Sequence, residues 1–112
     1  PTPFAPDGAP DEAAFLRLID FAVEAGADGV VYPGMASEVE TLTAAERARM
    51  VAVLGEHLRG RLPFLVGASH ADPAESAARA REGMAAGAVA AMIMAPPACG
   101  GAVAKHVDFY AA

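Results

Sequence analysis

The sequence predicts a parallel α/β fold, in which helices cover a sheet of parallel strands. Short apolar runs alternate along the chain with capped, amphipathic segments, and the connections between them are short. The chain also contains an internal repeat. Residues 25–33 read Ala-Gly-Ala-Asp-Gly-Val-Val-Tyr-Pro, and residues 86–96 read Ala-Gly-Ala-Val-Ala-Ala-Met-Ile-Met-Ala-Pro. In both copies a helix ends at a glycine, a buried strand follows and a proline closes it. We therefore expect several similar βα units.

The first unit begins with Pro1–Phe4, which reads as the end of a strand and indicates that the chain is a fragment of a longer protein. A turn through residues 6–8 leads to a first helix predicted over Asp11–Ala25, with Gly26 as its C-terminal stop. Its inward face is predicted from helical spacing to hold Phe15, Leu18, Ile19, Ala22 and Val23.

The second unit is the most informative stretch. Asp28–Pro33 reads as a buried strand, Gly34–Glu38 as a small-residue turn, and Thr43 with Glu46 as a capping box that opens a helix ending near Arg59. In parallel α/β proteins ligands bind at the carboxyl ends of the strands, so residues 33–42 are the first place to seek chemistry. The inward positions of this helix are predicted to be Ala48, Val51, Leu54 and Leu58.

Two further strands complete the pattern. The third strand is predicted over Leu62–Gly67, and residues 72–75 supply an N-cap aspartate, a first-turn proline and a first-turn acid for an alanine-rich helix. The fourth strand is predicted over Val89–Ala95, and a last helical segment runs from Gly100 to the end of the sequence. Three methionines are expected to fill the core: Met84, Met92 and Met94.

Composition excludes several classes of function. A net charge of -6 and a single lysine argue against nucleic acid, since phosphate binding needs clustered basic residues. The uncharged run from Gly83 to Ala104 has the length of a membrane span, but Pro96 and Pro97 interrupt it, and it resolves into helix end, strand and loop. Neither a membrane nor a nucleic acid is therefore an expected partner. With no signal peptide visible, a cytoplasmic location is the default expectation.

Metal and disulfide chemistry find no support in the sequence. The chain has one cysteine, and its three histidines lack ligand spacing, so we expect no metal site. His57 is expected on the surface of the second helix. Arg59 and Arg61 suit the negative end of that helix dipole, on the face away from the chemistry.

Several motifs, in order and spacing, resemble the dihydrodipicolinate synthase and N-acetylneuraminate lyase family. Each motif is weak alone, and together they span essentially the whole chain. They are Thr2-Pro-Phe4, Gly-Ala-Asp-Gly-Val-Val at 26–31 ahead of Gly34-x-x-x-Glu38, Leu42-Thr-x-x-Glu-Arg47, Leu62-Pro-Phe-Leu-Val-Gly-Ala68, Pro73-Ala-Glu-Ser76 and Ala95-Pro-Pro97.

The resemblance implies a (β/α)8 TIM barrel. Such a barrel needs roughly 250 residues, so this chain would supply about the first four βα units, the N-terminal half of one domain. Family members condense or cleave 2-oxo acids such as pyruvate through a Schiff base on a lysine late in the barrel, without a cofactor, and assemble as homo-oligomers, dimers or tetramers. That lysine would lie beyond Ala112, so the catalytic residue is unknown here. Lys105 occupies a position that the family does not use for the imine and is expected to be solvated.

The chain departs from the family at the turn after the second strand. There the family usually has Gly-Thr-Thr-Gly-Glu, whose hydroxyls hold the carboxylate and relay a proton, whereas this chain has Gly34-Met35-Ala36-Ser37-Glu38. The backbone N–H groups remain, so Gly34, Met35, Ala36 and Ser37 are the predicted substrate-binding residues, with Ser37 as the one hydroxyl.

A second departure follows the fourth strand. The family's Pro-Pro-Tyr-Tyr, whose tyrosine joins the proton relay across a subunit interface, is replaced here by Pro96-Pro97-Ala98-Cys99. Two losses in one relay predict a divergent enzyme with a different acceptor substrate. The alternative is a catalytically inert barrel that binds a small carboxylate or acts as an assembly subunit.

Other polar residues near the predicted site have competing interpretations. Glu38 could be a general base, but the resemblance favours a structural role in which it bonds the loop backbone. Cys99 would be a nucleophile if its pKa were lowered, yet it lacks an adjacent basic partner unless His106 approaches it. Ser69 and His70 lack an acid partner and a nucleophile elbow, which favours loop packing or substrate contact.

Overall fold

Three parallel strands and four α-helices make up the structure, a computed structural model that describes residues 1–112. In chain order they are α1 (Glu12–Glu24), β1 (Val30–Tyr32), α2 (Ala44–Leu58), β2 (Phe64–Gly67), α3 (Pro73–Ala85), β3 (Ala90–Met92) and α4 (Val103–Ala111). Short 3-10 turns follow β1 at Met35–Ser37 and Val39–Thr41, and follow β3 at Pro97–Cys99. The alternation confirms the predicted parallel α/β class.

The sheet has the order β1-β2-β3, with every neighbouring pair parallel. Val30 pairs with Phe64 on β2, and Val66 pairs with Ala91 on β3. Each strand therefore lies beside the next one in sequence, and a helix forms each crossover, as in the successive units of a barrel. All three carboxyl ends consequently meet at one edge of the sheet.

The expected strand at Pro1–Phe4 is wrong as a sheet strand. Phe4 makes only an isolated antiparallel bridge to Pro10. The backbone groups of this segment are used by the turn that follows, because Asp11 N–H donates to the Pro3 carbonyl at 2.8 Å and Ala5 N–H donates to the Ala9 carbonyl at 2.8 Å. The sheet of these 112 residues thus has three strands.

The predicted helix starts are confirmed. The Asp11 carboxylate accepts from Ala14 N–H, and the Asp72 carboxylate accepts from Ala74 N–H. Thr43 and Glu46 form the reciprocal capping box, with Thr43 N–H donating to the Glu46 carboxylate at 2.8 Å. These side chains satisfy amides that have no partner within their own helix.

The core lies between α1, α2 and one face of the sheet. Val51, Leu54 and Leu58 are buried as predicted, Ala48 is half-buried, and Leu18 is wrong as a core residue because it is 40% exposed. The ten buried core residues are Phe15, Ile19, Tyr32, Met50, Val51, Leu54, Leu58, Phe64, Val66 and Ala88.

Close approach of α3 depends on two glycines. A Cβ built on Gly83 would overlap the side chain of Val66 on β2, and a Cβ built on Gly55 would overlap the carbonyl of Ala86. Small residues at these contacts let the helices approach the sheet and each other closely.

The fourth predicted strand is shorter and more open than expected. Only Ala90–Met92 pairs in the sheet, and all three residues are exposed. Met84, Met92 and Met94 are 48%, 47% and 62% exposed, so their prediction as core filler is wrong. For Met92 the physical reason is that β3 is the last strand of this sheet, and no strand in residues 1–112 pairs with its outer edge.

Candidate functional site

The carboxyl edge of the sheet holds a cleft of about 420 Å³. Gly34 and Met35 reach it from the end of β1, Gly67 and Ser69 from the end of β2, and Met94 from the end of β3. This is the edge at which parallel α/β proteins bind ligands. A Cβ on Gly67 would overlap the carbonyl of Pro33, so the ends of β1 and β2 are in close contact beneath the cleft.

A larger cleft, of about 580 Å³, lies at the opposite edge and is lined in part by Arg59, Arg61 and Ala86. It contains none of the predicted substrate-binding residues. The Arg61 guanidinium already has a partner within the protein, because it donates to the Asp20 carboxylate at 2.7 Å. The arginines therefore lie at the end of the sheet away from the strand termini, as the sequence predicts.

The loop after β1 is a tight turn closed by Ser37. Ser37 N–H donates to the Gly34 carbonyl at 2.9 Å, and Gly34 N–H donates to Ser37 Oγ at 3.1 Å. Ser37 is buried, whereas Met35 is 84% exposed. Of the four predicted substrate-binding residues, Gly34 and Met35 line the cleft, Ala36 is exposed beside it, and Ser37 uses its hydroxyl to hold the loop.

Two amides in this loop are free. Met35 and Ala36 are the first two residues of the 3-10 turn, and their N–H groups donate no hydrogen bond in the structure. Amides at the start of a helical turn have no partner within it. Successive free N–H groups of this kind form a concavity that attracts anions.

A buried hydroxyl pair, which the sequence analysis missed, supports the loop from below. Thr2 Oγ1 donates to the Ser37 carbonyl at 2.7 Å and lies 3.0 Å from Tyr32 Oη. Thr2 and Tyr32 are each only 3% exposed. Burial raises the pKa of the Tyr32 phenol above its ordinary value.

A buried arginine, also missed, supports the end of β2. Arg47 is 4% exposed; its Nη2 donates to the Gly67 carbonyl at 3.0 Å and its Nη1 pairs with Glu82 Oε2 at 3.1 Å. Burial lowers the pKa of Arg47, and the Glu82 carboxylate opposes that effect. The only sequence signal was its place in the motif Leu42-Thr-x-x-Glu-Arg47.

Comparison with known proteins gives the fold a family. Residues 1–112 match the sequence profile of the Dihydrodipicolinate synthetase family over their whole length. The chain belongs to this family.

Individual relatives agree with that membership. The chain is 36% identical to 4-hydroxy-tetrahydrodipicolinate synthase of Stenotrophomonas maltophilia, over 86% of this chain and 32% of that protein. Its fold matches the prophage protein YagE of E. coli K12, solved in complex with pyruvate, with a TM-score of 0.90 and 26% identity over 98% of this chain and 37% of YagE. Dihydrodipicolinate synthase of Rhodopseudomonas palustris matches with a TM-score of 0.80 and 36% identity, over 87% of this chain and 32% of that one.

The chain spans about a third of the length of these relatives. Together with its three parallel strands, this makes it the N-terminal part of a dihydrodipicolinate synthetase family TIM barrel. The resemblance and the fold class inferred from sequence are thereby confirmed.

The remaining polar candidates of this family member do not form catalytic pairs. Ser69 Oγ accepts from Met94 N–H at 2.9 Å and so joins the loop after β2 to the loop after β3, at the cleft. His70 Nδ1 accepts from Asp72 N–H at 3.0 Å, within its own loop. Glu38 has a left-handed backbone, with φ 55°, and its exposed carboxylate makes no hydrogen bond to the loop. The expected structural bond from Glu38 is therefore absent.

Cys99 is buried and has no histidine partner. Its Sγ lies 3.8 Å from the Lys105 carbonyl, and His106 Nδ1 instead lies 3.0 Å from the Ala102 carbonyl. Lys105 itself is exposed, as predicted. Neither residue reaches the cleft.

No cluster of three or more His, Cys, Asp or Glu side chains is positioned to hold a metal ion. None of the helices combines the length and apolar character needed to cross a membrane.

Proposed function

We propose that this chain is the N-terminal part of a class I aldolase-like lyase that acts on pyruvate or another 2-oxo acid. The imine would form on a lysine beyond Ala112. Membership of the dihydrodipicolinate synthetase family supports the reaction class. The pyruvate complex of YagE, whose fold this chain shares, supports the substrate class.

The observation that carries the proposal is the pair of free amides at Met35 and Ala36 beside the cleft. A 2-oxo acid presents a carboxylate next to its ketone, and two adjacent N–H donors can hold that carboxylate through charge-assisted hydrogen bonds. The donors belong to the backbone, so the loss of the family's threonines at these positions leaves them in place.

The chemistry requires an amine nitrogen to attack the ketone carbon and a water to leave, which forms the imine. The amine must be unprotonated to attack, and an apolar, poorly hydrated setting lowers its pKa. Met35, Met92 and Met94 contribute apolar side chains to the lining of the cleft. Carboxylate binding by the loop fixes which face of the ketone meets the amine.

Proton transfer in this family member would not use the loop. Met35 and Ala36 carry no hydroxyl, and the Ser37 hydroxyl is committed to Gly34 inside the turn. We infer that the divergence lies in the acceptor step that follows imine formation, which requires protons to move to and from the second substrate.

The alternative is an inert barrel that binds a small carboxylate or serves as an assembly subunit. The replacement of the relay tyrosine by Ala98 and Cys99 favours it, since no phenol directly follows the Pro96-Pro97 pair. An inert barrel that binds a small carboxylate would differ from the proposed enzyme only in lacking the imine, whereas an assembly subunit would need neither the imine nor the carboxylate.

We further propose that the protein acts in the cytoplasm as a homo-oligomer, a dimer or a tetramer. Its partner is the small 2-oxo acid, with no nucleic acid or membrane involved. The acidic net charge of -6 disfavours nucleic acid as a partner.

The experiment is the intact mass of the protein, as its gene encodes it, after borohydride treatment with pyruvate. We expect one reduced pyruvate adduct, which peptide mapping places on a lysine outside residues 1–112. Lactate is the matched control, because it has the same carboxylate but no ketone and should give no adduct. Absence of an adduct with pyruvate would favour the inert barrel, and an adduct on Lys105 would contradict the proposed location.

A further inference from the structure

A chain of buried hydroxyls connects the core to the loop that carries the free amides. We propose that Thr2 is a positioning residue, which holds the Gly34–Ser37 loop in its carboxylate-binding shape by donating to the Ser37 carbonyl. The inference deepens the proposed function and rests on it for the identity of the ligand.

The direction of each hydrogen bond is determined. The Ser37 carbonyl can only accept, so the single hydroxyl hydrogen of Thr2 points to it across 2.7 Å. Tyr32 Oη, 3.0 Å from Thr2 Oγ1, must then be the donor to Thr2. The order is Tyr32 to Thr2 to Ser37.

The core fixes the start of this chain of hydroxyls. Tyr32 is the last residue of β1, and its ring packs on the ring of Phe15 with 4.6 Å between centroids. Phe15 is 1% exposed. Thr2 therefore transmits the position of a rigid core residue to a surface loop.

The loop depends on this one connection. Within residues 34–37, the remaining hydrogen bonds join Gly34 to Ser37 and Met35 to Glu38, all inside or next to the turn. The bond from Thr2 is the only one that ties the turn to a distant part of the chain. The bond from Thr2 ends on Ser37, and the N–H and Oγ of Ser37 both bond Gly34. Thr2 therefore holds the two ends of the turn, Gly34 and Ser37, between which the free amides of Met35 and Ala36 lie.

The test compares three variants of the full-length protein. Thr2→Val keeps the shape of the side chain and removes the donor, whereas Thr2→Ser keeps the donor. Thr41→Val is the matched control, because Thr41 Oγ1 also donates to a loop carbonyl, that of Glu38, at 2.7 Å, but Thr41 is exposed and is not itself among the residues that line the cleft.

The first readout is borohydride trapping at graded pyruvate concentrations. Thr2→Val should raise the half-saturating concentration by about 3- to 10-fold, the equivalent of one hydrogen bond. The trapping rate at saturation should stay within about twofold, because a carboxylate contact acts on ground and transition states alike. Thr2→Ser and Thr41→Val should behave like the wild type. Equal half-saturation for Thr2→Val and wild type, or a Thr2→Ser defect as large as that of Thr2→Val, would overturn the proposal.

The second readout is hydrogen exchange of the Gly34 and Ser37 amides without ligand. Thr2→Val should accelerate it, and Thr2→Ser should not. If the wild type forms no pyruvate adduct, the proposed function fails, and exchange alone decides the positioning role. If Thr2→Val does not fold, Tyr32→Phe decides. This variant removes the hydroxyl that donates to Thr2 Oγ1 and holds it toward the Ser37 carbonyl, so the half-saturating pyruvate concentration should rise about two- to threefold. An unchanged value there would overturn the proposal.

Discussion

Arg47 is the residue whose environment differs most from what its type suggests. A charged side chain is rarely buried without partners, and Arg47 has two, the Gly67 carbonyl and Glu82. Its Nε and the Glu82 Oε1 are nevertheless buried without a hydrogen bond. The guanidinium joins α2 to α3 and to the end of β2, so its removal affects three elements.

We predict that Arg47→Met lowers the free energy of unfolding by about 2 kcal/mol, because the Gly67 carbonyl and Glu82 both lose their donor. Arg49→Met is the control, since Arg49 pairs with Glu12 at an exposed site where ion pairs contribute little. Urea denaturation measures both. Equal losses in the two variants would contradict a special role for Arg47.

Residues whose partners are near in sequence were predictable. Asp11, Thr43 and Asp72 cap helices through amides two or three positions away. The caps at Thr43 and Asp72 were predicted from their neighbours, and Asp11 was predicted as the start of its helix. Arg47 and Thr2 bond to partners 35 residues away, Glu82 and Ser37. Such pairs form only when the fold brings separate βα units together, so the local sequence pattern does not predict these hydrogen bonds.

At the scale of elements, α1 and α2 are joined by two groups of ion pairs on their exposed surface. Glu12 on α1 receives two hydrogen bonds from Arg49 on α2. Asp20 on α1 lies 2.7 Å from Arg61 Nη2 and 2.8 Å from His57 Nε2. Hydrogen bonds from Arg49 lower the pKa of Glu12, and those from Arg61 and then His57 lower the pKa of Asp20.

These shifts predict a stability loss in acid. A carboxyl whose pKa is lower in the folded state than in the unfolded chain stabilises the fold above its unfolded pKa. The contribution is lost as pH falls from the ordinary values of 4.5 and 3.8 through the lower folded values. Compared with wild type, the Glu12→Gln, Asp20→Asn double variant should melt at a lower temperature at pH 7 and at a similar temperature near pH 2. A gap that is the same at both pH values would contradict this origin.

The element order was predictable from the glycines, prolines and caps that separate the units, but strand burial was not. Continuous apolar runs predicted a buried strand at residues 89–95, yet Ala90–Met92 is exposed. An apolar run reports what a side chain prefers, and burial requires a neighbouring element that lies outside these 112 residues. The same reasoning explains the exposure of Met92, which lies on this strand.

At the scale of the whole molecule, the sheet ends abruptly at β3. Met92 on this last strand is exposed, and so are Val103 and Val107 of α4, at 76% and 60%. An unpaired strand edge beside exposed apolar side chains is a template for association.

We predict that residues 1–112 expressed alone self-associate. Sedimentation velocity should show species heavier than the 11.3 kDa monomer. Met92→Lys, which places a charge on the open strand, should reduce the association, whereas Arg17→Lys on exposed α1 should not. A monodisperse, cooperatively melting monomer would contradict the prediction.

The burial of Cys99 has a practical consequence for following motion in this molecule. Cys99 is the only cysteine in the 112 residues, and it lies against the Lys105 carbonyl at the junction with α4. A thiol-specific alkylating reagent can reach it only when this junction opens. The alkylation rate, relative to that of an unfolded peptide, therefore measures how often α4 detaches, without any probe being introduced.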